Sequence, residues 1–266
     1  MEFRTIVDIE AAPFHIEPME RVLFVGSCFA DSIGRRMEEE HFAVTVNPFG
    51  VMYNPASVLH SVQRYAGDTP QTAVLTFGTN HVYIERATGE IVDNCRKRPH
   101  ALFREEELTT DECFAYIDSA VTTLRESHPG VKIILTVSPI RYAKYGFHTS
   151  NLSKATLLLA VDKVTKAYPD DTYYFPAYEL LCDELRDYRF YASDMLHPSE
   201  QAVEYVWERF AAQLLSDRAL RWLDDWAPVK KALAHRPFDA ESAEYKAFIA
   251  DARRRADEII ERYRKQ

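Results

Sequence analysis

The sequence predicts an α/β fold built on a five-stranded parallel sheet with helices on both faces. Two observations carry this. Short runs rich in β-branched and aromatic residues alternate with amphipathic stretches five times along the chain. Several of those runs, Thr72–Phe77 above all, are almost continuously apolar, the pattern of strands covered on both sides. With 266 residues, 47% of them hydrophobic and 27% charged, the chain is long enough for a large domain with an ample core.

Each element has a local reason. Residues 1–20 are a leader interrupted by Ala12-Pro13 and Glu17-Pro18, which reads as an extended arm. Arg21–Gly26 is the first strand, and a helix over 30–40 follows. Phe42–Asn47 is the second strand, broken by Pro48-Phe49-Gly50. Asn54-Pro55 opens a helix to about Tyr65, with proline suited to its first position. Thr72–Phe77 is the third strand. Val82–Glu85 and Glu90–Val92 flank Arg86–Gly89 and read as an inserted β-hairpin. Thr109 begins a helix to about Ser127, with an acidic first turn. Val131–Val137 is the fourth strand, stopped by Ser138-Pro139. A polar loop with Arg141, His148 and Asn151 precedes a helix over Ser153–Ala167. Asp171–Phe175 is the fifth strand. An irregular stretch over 181–197 leads into a helix from Pro198-Ser199 to about Leu215. Pro228, Lys230-Lys231 and Pro237 interrupt the segment after it, and Asp239–Gln266 is a charged amphipathic helix. The expected organisation is an arm (1–20), an α/β domain (21–227), and a linker with a terminal helix (228–266). The apolar stripe of that helix packs on the domain body or, alternatively, forms a homodimer contact.

The bulk numbers exclude several roles. A net charge of −9 provides no basic field for a phosphate backbone, so nucleic acid is not an expected partner. Cysteines at 28, 95, 113 and 182 are too sparse for a disulfide scaffold and show no C-x-x-C pairing. Met1-Glu-Phe-Arg lacks the apolar core of a signal peptide, and no apolar run approaches membrane-spanning length. A cytoplasmic protein without a membrane span is the expectation, with no cofactor.

The chemistry gathers on one rim. In parallel sheets the site lies outside the C-terminal ends of the strands. That rule brings together Ser27, Cys28, Gly50, Asn80 and Ser138. Ser27 and Cys28 follow the Gly26 turn and stand at a helix start, where the partial positive charge favours a thiolate or a developing oxyanion. Asp194-x-x-His197 places a carboxylate one turn before an imidazole, able to bond Nδ1–H and leave Nε2 free as a base. A plain capping role is the alternative. His197 has no His or Cys neighbours at ligand spacing, so no metal is expected. A nucleophile, an imidazole and a carboxylate support acyl transfer through a covalent intermediate. Oxyanion donors would be the backbone N–H of the nucleophile, the N–H of Gly50 and the side-chain amide of Asn80.

Gly26-Ser27-Cys28-Phe29-Ala30 resembles the eponymous motif of the GSCFA family, grouped with the SGNH (GDSL-like) hydrolases. Val46-Asn47-Pro48-Phe49-Gly50, Asn94-Cys95, Val137-Ser138-Pro139 and Asp187–Pro198 extend the resemblance over about residues 20–215. It implies a flavodoxin-like, three-layer α/β/α fold and an esterase-type or acyltransferase-type site. Gapless superposition on the SGNH block Gly-Asp-Ser puts Ser27 at the aspartate and Cys28 at the serine. Cys28 is therefore the nucleophile by position and Ser27 the candidate by chemical type. Gly50 matches the second-block glycine and Asn80 the third-block asparagine, with Asn47 in the same substrate-binding set. His81 replaces the aspartate that follows the asparagine. The expected partner is a small-molecule or carbohydrate acyl substrate, and loop tyrosines such as Tyr53, Tyr142, Tyr145, Tyr188 and Tyr191 suit sugar stacking. The alternatives are a catalytically degenerate scaffold serving binding or assembly, and a redox or metal role for Cys28 with Cys95.

Overall fold

The first strand, β1 (Arg21–Gly26), organises the molecule in a computed structural model that describes residues 4–95 and 97–264. Residues 1–3, which the expected arm includes, and residues 265–266, which the expected terminal helix includes, lie outside the described residues, as does Arg96. Side chains of β1 alternate between two cores. Val22 and Phe24 enter one apolar cluster, whereas Leu23 and Val25 enter the other. A strand buried on both faces needs helices on both faces, and the chain supplies them.

Five parallel strands form the sheet: β1, β2 (Ala43–Val46), β3 (Thr72–Phe77), β7 (Lys132–Val137) and β8 (Thr172–Tyr174), in the order β2-β1-β3-β7-β8. This is the doubly wound arrangement in which the chain reverses direction across the sheet at β1 and β3. The register pairs Gly26 with Thr76 and Leu75 with Leu135. One face carries α1 (Cys28–Glu39) and α6 (Glu200–Leu214). The other carries α2 (Pro55–Arg64), α3 (Thr110–Ser127) and α4 (Gly146–Ala167). Helix starts use short polar caps: the Asn54 side chain accepts from Ser57 N–H at 2.9 Å, and Thr109 and Glu112 form a reciprocal capping box.

Four elements differ from the sequence reading. The inserted hairpin is a three-stranded antiparallel sheet: β4 (His81–Glu85) pairs with β5 (Ile91–Val92) and also with β6 (Phe103–Glu107). Only Phe103 of β6 is buried, so the strand carries no apolar alternation. The helix α4 starts at Gly146, which places His148 and Asn151 on a helix. A short helix α5 (Ala177–Glu179) continues as a wide π-type turn over Leu180–Leu185, closed by Arg186 in the left-handed region. The helix α7 (Asp217–Leu233) runs through Pro228, because Trp222, Trp226 and Val229 recur on one buried face.

The helix α8 (Ala243–Arg264) lays Ala252, Ala256, Ile259 and Tyr263 against the body, with the Tyr263 ring edge-on to Trp222 at 5.2 Å. The arm is stitched to the same side: Ile16 N–H donates to Leu214 O at 2.7 Å, and Ser216 N–H to Ile16 O at 3.1 Å. Among the described residues no helix is long and apolar enough to cross a membrane.

Candidate active site

The turn after β1 is fixed by close backbone approach. Gly26 has φ +142°, and a Cβ there would lie 2.1 Å from Thr76 O on the neighbouring strand. Only glycine fits that approach. The next residue, Ser27, is the N-cap of α1. Its Oγ accepts from Phe29 N–H at 3.2 Å and lies 3.1 Å from Thr76 Oγ1, while its own N–H donates to Thr76 Oγ1 at 2.8 Å. The side chain is fully buried and its bonding capacity is taken up by the cap and by β3.

Cys28 is the first residue of α1 and is half-buried, with its sulfur 3.9 Å from the Tyr53 hydroxyl. The helix start leads one to expect an activated thiolate, but the thiol is pushed above its ordinary value. Burial is the main cause and outweighs the hydrogen bond from Tyr53; the nearby Asp31 adds to the rise. Cys28 at rest is therefore a thiol that needs a base.

Asn47 organises the turn from the β2 side. Held at φ +41°, it accepts from Gly26 N–H through Oδ1 at 2.8 Å and donates through Nδ2 to Asp31 at 2.6 Å. Its side chain ties the end of β1 to the first turn of α1, so its place is beneath the site. Gly50 N–H donates to Asn47 O at 2.8 Å. Asn80 is buried, and its amide nitrogen donates to Leu108 O at 2.7 Å. The two donors expected from the sequence thus have other partners, for simple reasons. Gly50 closes a tight turn, and Asn80 anchors the inserted sheet to the loop before α3.

Asp194 and His197 do meet. Asp194 Oδ2 lies 2.6 Å from His197 Nδ1, and Oδ1 accepts from Leu196 N–H at 2.8 Å and His197 N–H at 3.0 Å. Those two backbone amides, with the imidazole behind them, hold the Asp194 carboxyl at about 2. The loop that carries the pair is tied to the residues after β7: Arg141 N–H donates to Leu196 O at 3.1 Å, and the Arg141 side chain to Met195 O at 3.1 Å. Because β1 and β7 are parallel members of one sheet, Cys28 and the dyad lie at the same C-terminal edge.

Three further groups shape this edge: in the sequence Lys154 gives no signal, His81 stands only as the replacement of a third-block aspartate, and Tyr142 only as one of the loop tyrosines suited to sugar stacking. Lys154, on α4, is fully buried and donates to Gly78 O at 2.5 Å and Ser138 O at 2.6 Å, clamping the ends of β3 and β7. Burial pulls its ammonium down to about 7. Tyr142 lies across Gly78, where a Cβ would be 2.1 Å from the phenol oxygen; that hydroxyl is shut off from solvent and has no partner among the described residues. Finally, His81 stacks flat on Tyr145 at 3.7 Å, and burial lowers its pKa. It lines a cavity of about 360 Å³ together with Tyr53, Tyr142 and Cys95. The cysteines at 28, 95, 113 and 182 are free thiols.

Comparison with solved structures finds likenesses of fold. An Axe2 mutant, an acetyl-xylooligosaccharide esterase from Geobacillus, is 12% identical with a TM-score of 0.51, over 75% of this chain and 96% of that one. A catalytic mutant of Axe2, named as an acetylxylan esterase from Geobacillus stearothermophilus, gives the same values. A Streptococcus pneumonia structure that carries the name platelet activating factor is 17% identical with a TM-score of 0.50, over 73% and 84%. These likenesses concern the fold alone. No curated protein matches the chain. The GSCFA family model matches residues 21–73 and 68–210, and a second, described as the C-terminal domain of GSCFA domain proteins, matches 226–265. The chain belongs to the GSCFA family.

Proposed function

We propose that the protein is an acyl-ester hydrolase or acyltransferase that uses Cys28 as nucleophile, His197 as general base and Asp194 as the group that orients it. The observation that carries this reading is the 2.6 Å contact between Asp194 and His197 Nδ1, at the sheet edge where Cys28 opens α1. A carboxylate on Nδ1 fixes the tautomer and leaves Nε2 as acceptor for a thiol proton. The raised thiol pKa makes that base necessary, since little thiolate is present at neutral pH. Cys28 is favoured over Ser27 because Ser27 is buried in the cap. The Axe2 structures, at 12% identity, are compatible with an ester substrate but do not choose one.

The same thiol favours a second reading. A protonated cysteine under a tyrosine hydroxyl suits a scaffold that binds an ester or another ligand without turning it over. Incubation with p-nitrophenyl acetate followed by peptide mapping separates the two. The expected result is an acetyl adduct on Cys28 that vanishes in Cys28→Ala, persists in Ser27→Ala and forms at least about a hundredfold more slowly in His197→Ala. Release of p-nitrophenol at an equal rate from the wild type and Cys28→Ala would exclude the enzymatic reading at this cysteine.

A further inference from the structure

We propose that the phenols of Tyr53 and Tyr142 are the oxyanion donors of this site, holding the carbonyl oxygen of an acyl group while Cys28 attacks its carbon. The inference rests on Cys28 being the nucleophile and extends that reading to the groups that stabilise its transition state.

The need for such donors comes from the site itself. A tetrahedral intermediate requires hydrogen-bond donors aimed at its oxygen, and losing one costs about a hundredfold to a thousandfold in rate. The Gly50 amide and the Asn80 side chain are bonded to Asn47 O and Leu108 O. The Cys28 amide at the helix start remains, beside at most the second N–H of an Asn80 amide already held by Leu108 O, and that is a poor hole.

Two phenols stand where the others are missing. Tyr53 has its hydroxyl 3.9 Å from the sulfur, so an oxygen on a carbon bonded to that sulfur falls within its reach. Its backbone is pinned, because its carbonyl accepts from both Gly78 N–H at 2.8 Å and Thr79 N–H at 2.9 Å. Tyr142 meets the Tyr53 ring edge to face at 6.3 Å, and its hydroxyl is a buried donor with nothing to bond among the described residues. An orphaned buried hydroxyl costs stability unless a ligand pairs with it. The glycine at 78 is what admits that oxygen. Both phenols stay protonated, and hence able to donate, at any working pH. Burial raises Tyr142, and it raises Tyr53 to about 12, with the charge of a Cys28 thiolate adding to both.

The step balances without a co-reactant. The Cys28 proton passes to His197 Nε2, the sulfur forms a bond to the carbonyl carbon, and the π pair moves onto oxygen. The phenols donate hydrogen bonds to that oxygen and keep their protons. Collapse restores the carbonyl and breaks the bond to the leaving alkoxide, which takes the proton from His197.

The test compares two reactions of one thiol. Acetylation of Cys28 by p-nitrophenyl acetate passes through an oxyanion, whereas alkylation by iodoacetamide is a direct displacement that does not. In Tyr53→Phe and Tyr142→Phe, acetylation is expected to slow by about a hundredfold to a thousandfold in each, while alkylation holds in Tyr142→Phe and falls by far less in Tyr53→Phe, whose hydroxyl also bonds the sulfur. The melting temperature of Tyr142→Phe is expected to hold or rise, since the lost hydroxyl bonds nothing. Acetylation at the wild-type rate in both variants would remove the phenols and leave the nucleophile standing. An equal slowing of both reactions would overturn the assignment too, because the tyrosines would then act on the thiol. A wild-type Cys28 that alkylates but never acetylates would overturn the inference together with the reading beneath it.

Discussion

His197 and Asp194 hold each other through both halves of the carboxylate: one oxygen takes the imidazole Nδ1 at 2.6 Å and the other takes the backbone amides of Leu196 and His197. The carboxylate therefore fixes the loop and the ring together. Asp194→Asn keeps the size but offers an N–H where the ring needs an acceptor. Esterase turnover is expected to fall by a factor on the order of 10⁴, with the fold retained. Steady-state kinetics beside a circular dichroism melt measures both.

The same pair makes a prediction about pH. The Asp194 carboxyl is depressed from 3.8 to about 2 in the folded protein. A carboxylate whose folded pKa is lowered stabilises the native state above its unfolded value and loses that contribution as pH falls through the folded one. The loop at 194–197 is thus expected to stay ordered down to about pH 4 and to loosen between roughly pH 4 and 2. Solvent screening keeps the effect on global stability small. Carboxyl carbon NMR of Asp194 follows the titration, and a midpoint close to the ordinary carboxylate value would contradict the bonding described.

Ser27 and Cys28 are neighbours with opposite expected phenotypes. Removing the Ser27 hydroxyl takes away the cap on Phe29 N–H and the partner of Thr76, so Ser27→Ala should lose about 1 to 2 kcal/mol of stability. Its acyl labelling should persist. Cys28→Ala should melt near the wild-type temperature and lose the label. Urea titration of both variants beside labelling decides the pair.

Gly26 and Gly50 are both held at positive φ, yet they are not equally demanding. A Cβ at Gly26 meets the Thr76 carbonyl at 2.1 Å, whereas a Cβ at Gly50 meets nothing within 4 Å. Gly50→Ala should cost about 1 kcal/mol, from conformation alone. Gly26→Ala adds a backbone clash that cannot be relieved without parting β1 from β3, and a loss of more than about 3 kcal/mol, or failure to fold, is expected. Denaturant midpoints compare the two.

The sheet was legible because each of its strands announces itself locally. Val22–Val25 and Thr72–Phe77 are apolar almost without interruption, and a parallel sheet is the way to bury such runs on both sides. The Asp194–His197 contact was legible because its spacing spans one turn. What escaped the sequence depended on distance or on competition between opposing effects. The strand β6 has four exposed residues in five and is held by backbone pairing to β4, which leaves no pattern. The helix through Pro228 survives because a face of five buried residues, Trp222 and Trp226 among them, outweighs one lost hydrogen bond. The state of the Cys28 thiol is a balance of burial against the hydrogen bond from Tyr53, and neither is readable from residue order. Lys154 looks like a solvated lysine in an amphipathic helix; only the register of β3 and β7 brings the carbonyls of Gly78 and Ser138 to its ammonium.

Lys154 gives the last prediction, and its sign can be worked out. Burial lowers its pKa from 10.5 to about 7 in the folded chain. Between those values the unfolded chain binds the proton and the native chain does not. Stability must then rise with pH across that window, because ∂ΔG/∂pH tracks the excess of protons bound by the unfolded state. Below about pH 7 both states are protonated and the contribution is flat, with the cost of the buried ammonium fully present. The rise across the window is of the order of a few kcal/mol. Lys154→Met fills similar space with nothing to titrate, so its stability should lack that rise, while Gly78 O and Ser138 O lose their donor at every pH. Urea denaturation of both proteins at about pH 6.5, 8 and 9.5 reads the difference. A wild type whose curve runs parallel to that of the variant would mean that the ammonium keeps its proton throughout, held by the two strand-end carbonyls.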